Sequence, residues 1–129
     1  METEILVFLL TLILFFVYLF APLIFLVGAN GLNTLLGSRD QVKDAESAVF
    51  TRANRAFNNL KETLPIALTL LILVPLQGKG NDTSALGAWI YFGARCAYLP
   101  CYMSGIPYVR TFTWATSIVG LTLVAVQLL

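Results

Sequence analysis

The sequence predicts an all-α membrane protein in which four helices cross the bilayer and pack as a left-handed bundle, the usual hand for membrane helices. Of its 129 residues, 58% are hydrophobic and 12% are charged, whereas soluble domains are about 25% charged. The apolar residues collect into four segments long enough to cross a hydrocarbon core of about 30 Å at about 1.5 Å per residue. We expect one domain over 1–129, with helices at about 5–27, 45–76, 84–103 and 107–129.

The first predicted helix, 5–27, has 23 residues and no charge. A signal peptide would have a basic start and a shorter apolar segment, but this chain opens with Met1-Glu2-Thr3-Glu4. We therefore expect the segment to be kept as a spanning helix, bent near Pro22. A polar loop with Arg39 and Lys43 follows it.

The second predicted helix begins near residue 45, ends at Leu76 and carries polar side chains towards the membrane interior. At 100° per residue, four of its polar side chains fall within roughly 80° of one another on a single face. They are Arg52, Arg55, Asn59 and Glu62. Lipid disfavours such a strip, so we expect it to face protein or a ligand.

A short polar turn at 77–84 leads into the third helix, with Asp82, Thr83 or Ser84 as its expected N-cap. Pro107 suits the first position of the fourth helix.

Arg95 lies in the middle of the apolar third helix, where an unpaired charge costs about 2.5–3.5 kcal/mol or more. Glu62 is the natural counter-charge, either within one chain or across a subunit boundary. Tyr98 and Tyr102 lie on the same stripe as Arg95. On the fourth helix, Arg110 begins a second polar group, which also contains Thr111 and Trp114.

Two interpretations of these polar residues stay open at this point. In the structural one, Arg95 and Glu62 neutralise each other, the tyrosines belong to an interfacial aromatic belt, and the remaining arginines contact lipid phosphates. In the functional one, the convergence of arginines, amides and tyrosines at one membrane face forms a site for a small anionic ligand with several carboxylates.

The loop charges predict the orientation. Basic residues flank the first and third connections, while Lys79 alone marks the second. The positive-inside rule then places the polar face in the cytoplasm and both termini on the opposite side.

Composition also excludes several kinds of chemistry and partner. Without histidine, His-zinc sites and Ser-His or Cys-His triads are impossible. The net charge of +1 and the lack of a basic run exclude nucleic acid as a partner. Cys96 and Cys101 match neither a redox CxxC pair nor a zinc motif, so we interpret them as apolar packing residues and expect no metal.

Three segments of the chain form a recognisable set. They are RANRAFNNLKETLP at 52–65, ARCAYLPCY at 94–102 and IPYVRTFTW at 106–114. Together they resemble the MAPEG family, the membrane-associated proteins in eicosanoid and glutathione metabolism, and in particular its short bacterial members. The chain departs from the family pattern at Asn30 or Asn33, where several eukaryotic members have an arginine, and at Asn58, where some relatives have a basic residue.

The resemblance implies a homotrimer in a bacterial inner membrane, with glutathione bound as cosubstrate at each subunit interface. It implies that Arg110 is the catalytic residue beside the glutathione sulfur. It also implies nine residues that bind the tripeptide, with Glu62 taking its α-amino group: Arg52, Arg55, Asn59, Glu62, Arg95, Tyr98, Tyr102, Thr111 and Trp114.

The expected function is that of a glutathione-dependent transferase or peroxidase acting on a lipophilic electrophile or lipid hydroperoxide that arrives from the bilayer. Two alternatives remain: a non-enzymatic membrane scaffold that keeps the four-helix fold of the family, and a small multidrug exporter that uses Glu62. An exporter needs that carboxylate accessible and unpaired.

Overall fold

The computed structural model describes residues 2–30 and 48–129. Within those ranges the regular elements are helices: α1 (Thr3–Asn30), α2 (Ala48–Leu76), α3 (Asp82–Ser104), α4 (Pro107–Ala125) and a 3₁₀ turn (Val126–Leu128). The predicted loop with Arg39 and Lys43, and the predicted start of the second helix, lie outside the described residues. The all-α prediction is confirmed.

Three segments are long and apolar enough to cross a membrane: Thr3–Ile24, Phe50–Leu76 and Tyr108–Leu128. The fourth helix, α3, has 23 residues, which also suffices for a core of about 30 Å. It is less apolar because it carries Arg95 and three tyrosines. The chain therefore has the helices of an integral membrane protein, while the trimer and the left-handed twist stay predictions.

Two helix bounds agree with the predicted ones: α2 ends at Leu76 and α4 begins at Pro107. α1 is longer than predicted at both ends, and α4 ends at Ala125, where the 3₁₀ turn follows it. α3 begins before residue 84 because Asn81, and not one of the three predicted residues, is the N-cap. The Asn81 side chain accepts a hydrogen bond from the Ser84 backbone N–H at 2.9 Å, and the Asn81 N–H donates to the Ser84 hydroxyl at 2.8 Å.

Buried side chains form layers along the bundle. Near the turn between α2 and α3, the buried cluster includes Val7, Val74 and Val124. At the other end, Tyr18 of α1 packs with Leu60 of α2. Exposed apolar side chains cover much of the outside, as expected for a surface that meets lipid.

The helices α3 and α4 form the most extensive helix pair, and glycines let their backbones touch. A Cβ added to Gly87 would lie 2.6 Å from the Gly120 carbonyl oxygen, and one added to Gly120 would lie 2.6 Å from the Tyr91 backbone nitrogen. Close approach at small residues is a common way to pack membrane helices. The two helices are thus held together at the end away from the turn that joins them.

Polar contacts collect at the end of the bundle that contains the turn between α2 and α3. Glu4 is only 4% exposed and accepts a hydrogen bond from the Ser84 hydroxyl. Asn81 donates to the Gln127 side chain at 2.6 Å, and the Lys79 ammonium donates to the Leu128 carbonyl at 2.9 Å. These contacts tie the start of α1, the turn and the end of the chain into one polar layer.

Candidate functional site

A cavity of about 220 Å³ opens between α2, α3 and α4, on the side of the bundle where α3 turns into α4. Helix α2 contributes one residue to its lining, α3 two and α4 three. They are Asn59, Tyr98, Tyr102, Arg110, Thr111 and Trp114. All six belong to the set predicted from the sequence, and the fold brings them together within one chain.

Arg110 supplies the positive charge of the cavity. The turn at Gly105, with φ 78°, and Pro107 at the start of α4 place Arg110 in the first turns of that helix. Its guanidinium carbon lies 4.9 Å from the centroid of the Tyr102 ring, a distance typical of a cation–π contact. No carboxylate lines the cavity, and within the described ranges Arg110 makes no ion pair. Its charge is therefore available to an anion.

The two tyrosines form the wall contributed by α3. Tyr98 and Tyr102 are four residues apart, and their rings meet edge to face with centroids 5.5 Å apart. Tyr98 is only 4% exposed, and its hydroxyl has no hydrogen-bond partner in the part of the chain that the structure describes. A buried phenol normally uses its hydroxyl, so Tyr98 offers a donor to a bound molecule.

Arg95 does not line the cavity, and its predicted ion pair with Glu62 in one chain is wrong. Arg95 is 0% exposed. Its Nη1 donates to Asn59 Oδ1 at 2.8 Å and its Nη2 to the Thr63 hydroxyl at 2.9 Å. On α2, Glu62 is turned about 100° away from Thr63 and is exposed. A pair between Arg95 and Glu62 of another subunit stays a prediction.

The polar strip of α2 therefore divides into three parts. Asn59 lines the cavity, whereas Arg55 and Glu62 are exposed outside it. Arg52 donates to the Met103 carbonyl at 3.3 Å, and a Cβ on Gly105 would lie 2.8 Å from its guanidinium carbon. A cation at the carboxyl end of α3 complements the helix dipole, so in this chain Arg52 fastens α2 to the turn before α4.

Two residues near the site were not predicted from the sequence. Thr63 accepts the second hydrogen bond of Arg95. Its position four residues after Asn59 places both side chains on the same face of α2, and this spacing could have indicated the contact. Tyr18 of α1 is fully buried and donates to the Arg95 carbonyl at 2.6 Å. Nothing in the sequence pattern connects Tyr18 to α3, because that contact depends on how α1 packs.

The packing interpretation of the cysteines is wrong for Cys96, which is exposed in the single chain, while Cys101 is half-buried. Cys96 lies on the side of α3 that faces outward, next to the buried Arg95. Among residues 2–30 and 48–129, no group of three or more Cys, Asp or Glu side chains is close enough together to hold a metal ion.

The arrangement suits an anion with hydrogen-bonding groups. One guanidinium, two phenols, an amide, a hydroxyl and an indole surround the cavity, and no acidic side chain competes for the cation. The comparisons with known proteins agree with the sequence motifs: the model of the MAPEG family matches residues 5–129. No curated protein and no solved structure matches the chain.

Proposed function

The chain belongs to the MAPEG family, and from this membership we propose that it is a glutathione-dependent transferase or peroxidase that acts on lipophilic electrophiles or lipid hydroperoxides. The family includes such enzymes. The observation that supports this function most directly is that Arg110, which makes no ion pair with the residues that the structure describes, lies in a cavity whose lining has no carboxylate.

Arg110 acts on the glutathione thiol through its charge. An ordinary thiol has a pKa of about 8.5 and is only about 3% ionised at pH 7. A guanidinium beside the sulfur stabilises the thiolate and lowers the thiol pKa. The contact with the Tyr102 ring holds the Arg110 side chain over the cavity. The thiolate is the nucleophile that both transferase and peroxidase reactions require.

In a transferase reaction, the thiolate sulfur attacks an electrophilic carbon and an S–C bond forms. In a substitution, the bond from that carbon to the leaving group breaks and its electron pair leaves with the group; in an addition, the electron pair of the carbon–carbon double bond takes up a proton from water. With a hydroperoxide, the sulfur attacks the outer oxygen and the O–O bond breaks. The products are an alcohol and glutathione sulfenic acid, which a second glutathione converts to the disulfide and water. In both reactions the Tyr98 hydroxyl, which lines the cavity, would donate a hydrogen bond to the developing oxyanion or to the peptide.

Homotrimer formation is part of the proposal. The cavity of one chain, at about 220 Å³, holds part of a tripeptide, and Arg55 and Glu62 lie exposed beside it. A neighbouring subunit would close the site over these two residues, with Glu62 taking the α-amino group and Arg55 a carboxylate of glutathione. The site faces the cytoplasm, where glutathione is abundant, and the lipophilic substrate enters from the bilayer.

Thiolate absorbance measured by stopped flow on the purified oligomer tests this function. We expect glutathione to give a thiolate signal with the wild type and with Lys61→Ala, since Lys61 is an exposed cation on α2 that lies over the Phe57 ring and does not line the cavity. Arg110→Ala should lose the signal and at least about tenfold in turnover. If Arg110→Ala keeps both, Arg110 is not the thiolate-stabilising residue. If the wild type gives no heat with glutathione in calorimetry, the transferase or peroxidase function is wrong, and the scaffold and the exporter remain.

One observation favours a second candidate, a proton-coupled exporter of lipophilic cations. Glu62 is exposed and makes no ion pair in the described part of the chain, and an exporter needs such a carboxylate. Vesicle efflux driven by a proton gradient and abolished by Glu62→Gln would support the exporter. Efflux that is absent, together with glutathione binding, would eliminate it.

A further inference from the structure

Arg95 is a buried cation with no acidic partner in the described part of the chain. It is 0% exposed, and its two hydrogen bonds go to neutral groups, the Asn59 amide oxygen and the Thr63 hydroxyl. The Tyr98 ring centroid lies 5.1 Å from its guanidinium carbon. A membrane protein keeps such a costly group where it has a function, and its burial prevents Arg95 from reaching a molecule in the cavity.

The hydrogen bond from Arg95 determines which end of the Asn59 amide faces the cavity. A guanidinium is a donor only, so the atom that it contacts must be the amide oxygen. The NH₂ group of Asn59 consequently makes no bond to Arg95. Because Asn59 lines the cavity, this group can donate to a molecule bound there. Without Arg95, the amide could turn over and present its oxygen, which would repel a carboxylate.

Thr63 fixes the guanidinium in turn. Its hydroxyl accepts from Arg95 at 2.9 Å and donates to the Leu60 carbonyl at 3.3 Å. The first of these hydrogen bonds joins α2 to α3, and the second lies within α2. The guanidinium therefore has a fixed plane, with Asn59 and Thr63 on its two Nη atoms and the Tyr98 ring beside it.

We propose that Arg95 is a positioning residue that orients the Asn59 amide, so that its NH₂ group donates to a carbonyl or carboxylate of the bound peptide. The inference rests on the proposed function, because it takes glutathione as that peptide. It replaces the direct contact between Arg95 and glutathione that the family resemblance implies. The donor set of the cavity is then Arg110 together with the amide of Asn59 and the hydroxyl of Tyr98.

Calorimetry with glutathione on detergent-purified protein tests this role. Asn59→Ala should weaken glutathione binding about tenfold, the usual effect of one lost hydrogen bond to a charged group. Arg95→Met should weaken it by a similar factor, and the double variant should bind no more weakly than Asn59→Ala alone, because both changes remove the same donor. Losses that multiply in the double variant would overturn the inference, since they would mean that Arg95 acts independently of Asn59.

Asn59→Asp separates orientation from folding. An aspartate can pair with Arg95, so thermal stability should hold or rise, while glutathione affinity should fall more than tenfold because a carboxylate replaces the donor. With this variant we expect KM for glutathione to rise, and KM for the second substrate to stay unchanged. Wild-type affinity in Asn59→Asp would overturn the inference.

Thr63→Val is the mild variant if Arg95→Met fails to fold. It keeps the shape of the side chain and removes the second acceptor of Arg95, so we expect a loss of affinity of about threefold to tenfold. Thr69→Val is the matched control, because the Thr69 hydroxyl also bonds a carbonyl of its own helix, that of Pro65, and has no contact with Arg95. Equal affinities for the two variants would count against the inference. Absence of glutathione binding in the wild type would overturn the proposed function as well. Losses of affinity that multiply in the double variant Asn59→Ala with Arg95→Met would overturn only the positioning role of Arg95.

Discussion

Replacement of Gly87 by alanine should separate α3 from α4. The added Cβ would lie 2.6 Å from the Gly120 carbonyl oxygen and 2.8 Å from the Leu123 Cβ. Ordinary contacts between such atoms are about 3.5 Å, so the helices would have to move apart by roughly 1 Å. Neither contacting atom belongs to a flexible end of a side chain, so a rotamer change cannot relieve the collision.

The magnitude follows from two opposing effects. Overpacking in a rigid site costs up to about 3 kcal/mol, and alanine gains about 1 kcal/mol over glycine in a helix interior. We therefore expect Gly87→Ala to lower the free energy of unfolding by about 2 kcal/mol.

Gly93 of the same helix provides the matched control. A Cβ at Gly93 meets no atom within 4 Å, so Gly93→Ala should be neutral or stabilising by up to about 1 kcal/mol. Reversible unfolding in mixed detergent micelles, followed by circular dichroism, measures both variants. Equal free energies of unfolding for the two variants would refute the idea that backbone contact at Gly87 holds α3 and α4 together.

Three further changes test other contacts, each by unfolding under the same conditions. Gly105→Ala should lower the free energy of unfolding by about 1–2 kcal/mol, because residue 105 has φ 78°. Adding Arg52→Ala should restore only the part of the stability that is lost through the collision with the Arg52 side chain, and full restoration would contradict the role of φ. Ser84→Ala should cost about 2 kcal/mol or more, since it leaves the Glu4 carboxylate buried without its donor and removes the acceptor of the Asn81 N–H in the capping box. An unchanged stability would show that Glu4 reaches water. Tyr18→Phe should cost about 1 kcal/mol through loss of the 2.6 Å hydrogen bond to α3, and a stabilised variant would show that this bond is not formed.

The sequence was sufficient to predict much of the site because polarity inside a membrane helix is rare. Tyr98 and Tyr102 could be placed on one wall from their spacing alone, and Arg110 could be assigned to the first turns of the fourth helix. The helices themselves followed from four long apolar segments, of which the second and third carry charged residues, and from Pro107.

The partner of Arg95 could not be predicted in the same way. Periodicity places Asn59, Glu62 and Thr63 on neighbouring parts of α2, but it does not give the rotation of α2 about its own axis. A difference of about 100° decides whether a carboxylate or a hydroxyl meets Arg95. Similarly, the contact of Arg52 with the turn depends on the conformation of Gly105, which no spacing rule provides.

The polar layer formed by Glu4 and Ser84 lies at the opposite end of the bundle from the cavity. Tyr98 lies about 21 Å further along α3 than Ser84, at 1.5 Å per residue. In a hydrocarbon core of about 30 Å with this layer at one edge, the cavity would begin some two-thirds of the way across and would end near the opposite headgroups. A lipophilic molecule whose reactive group sits close to its polar head would arrive at this level, whereas one that reacts at the far end of an acyl chain would have to fold back to reach it.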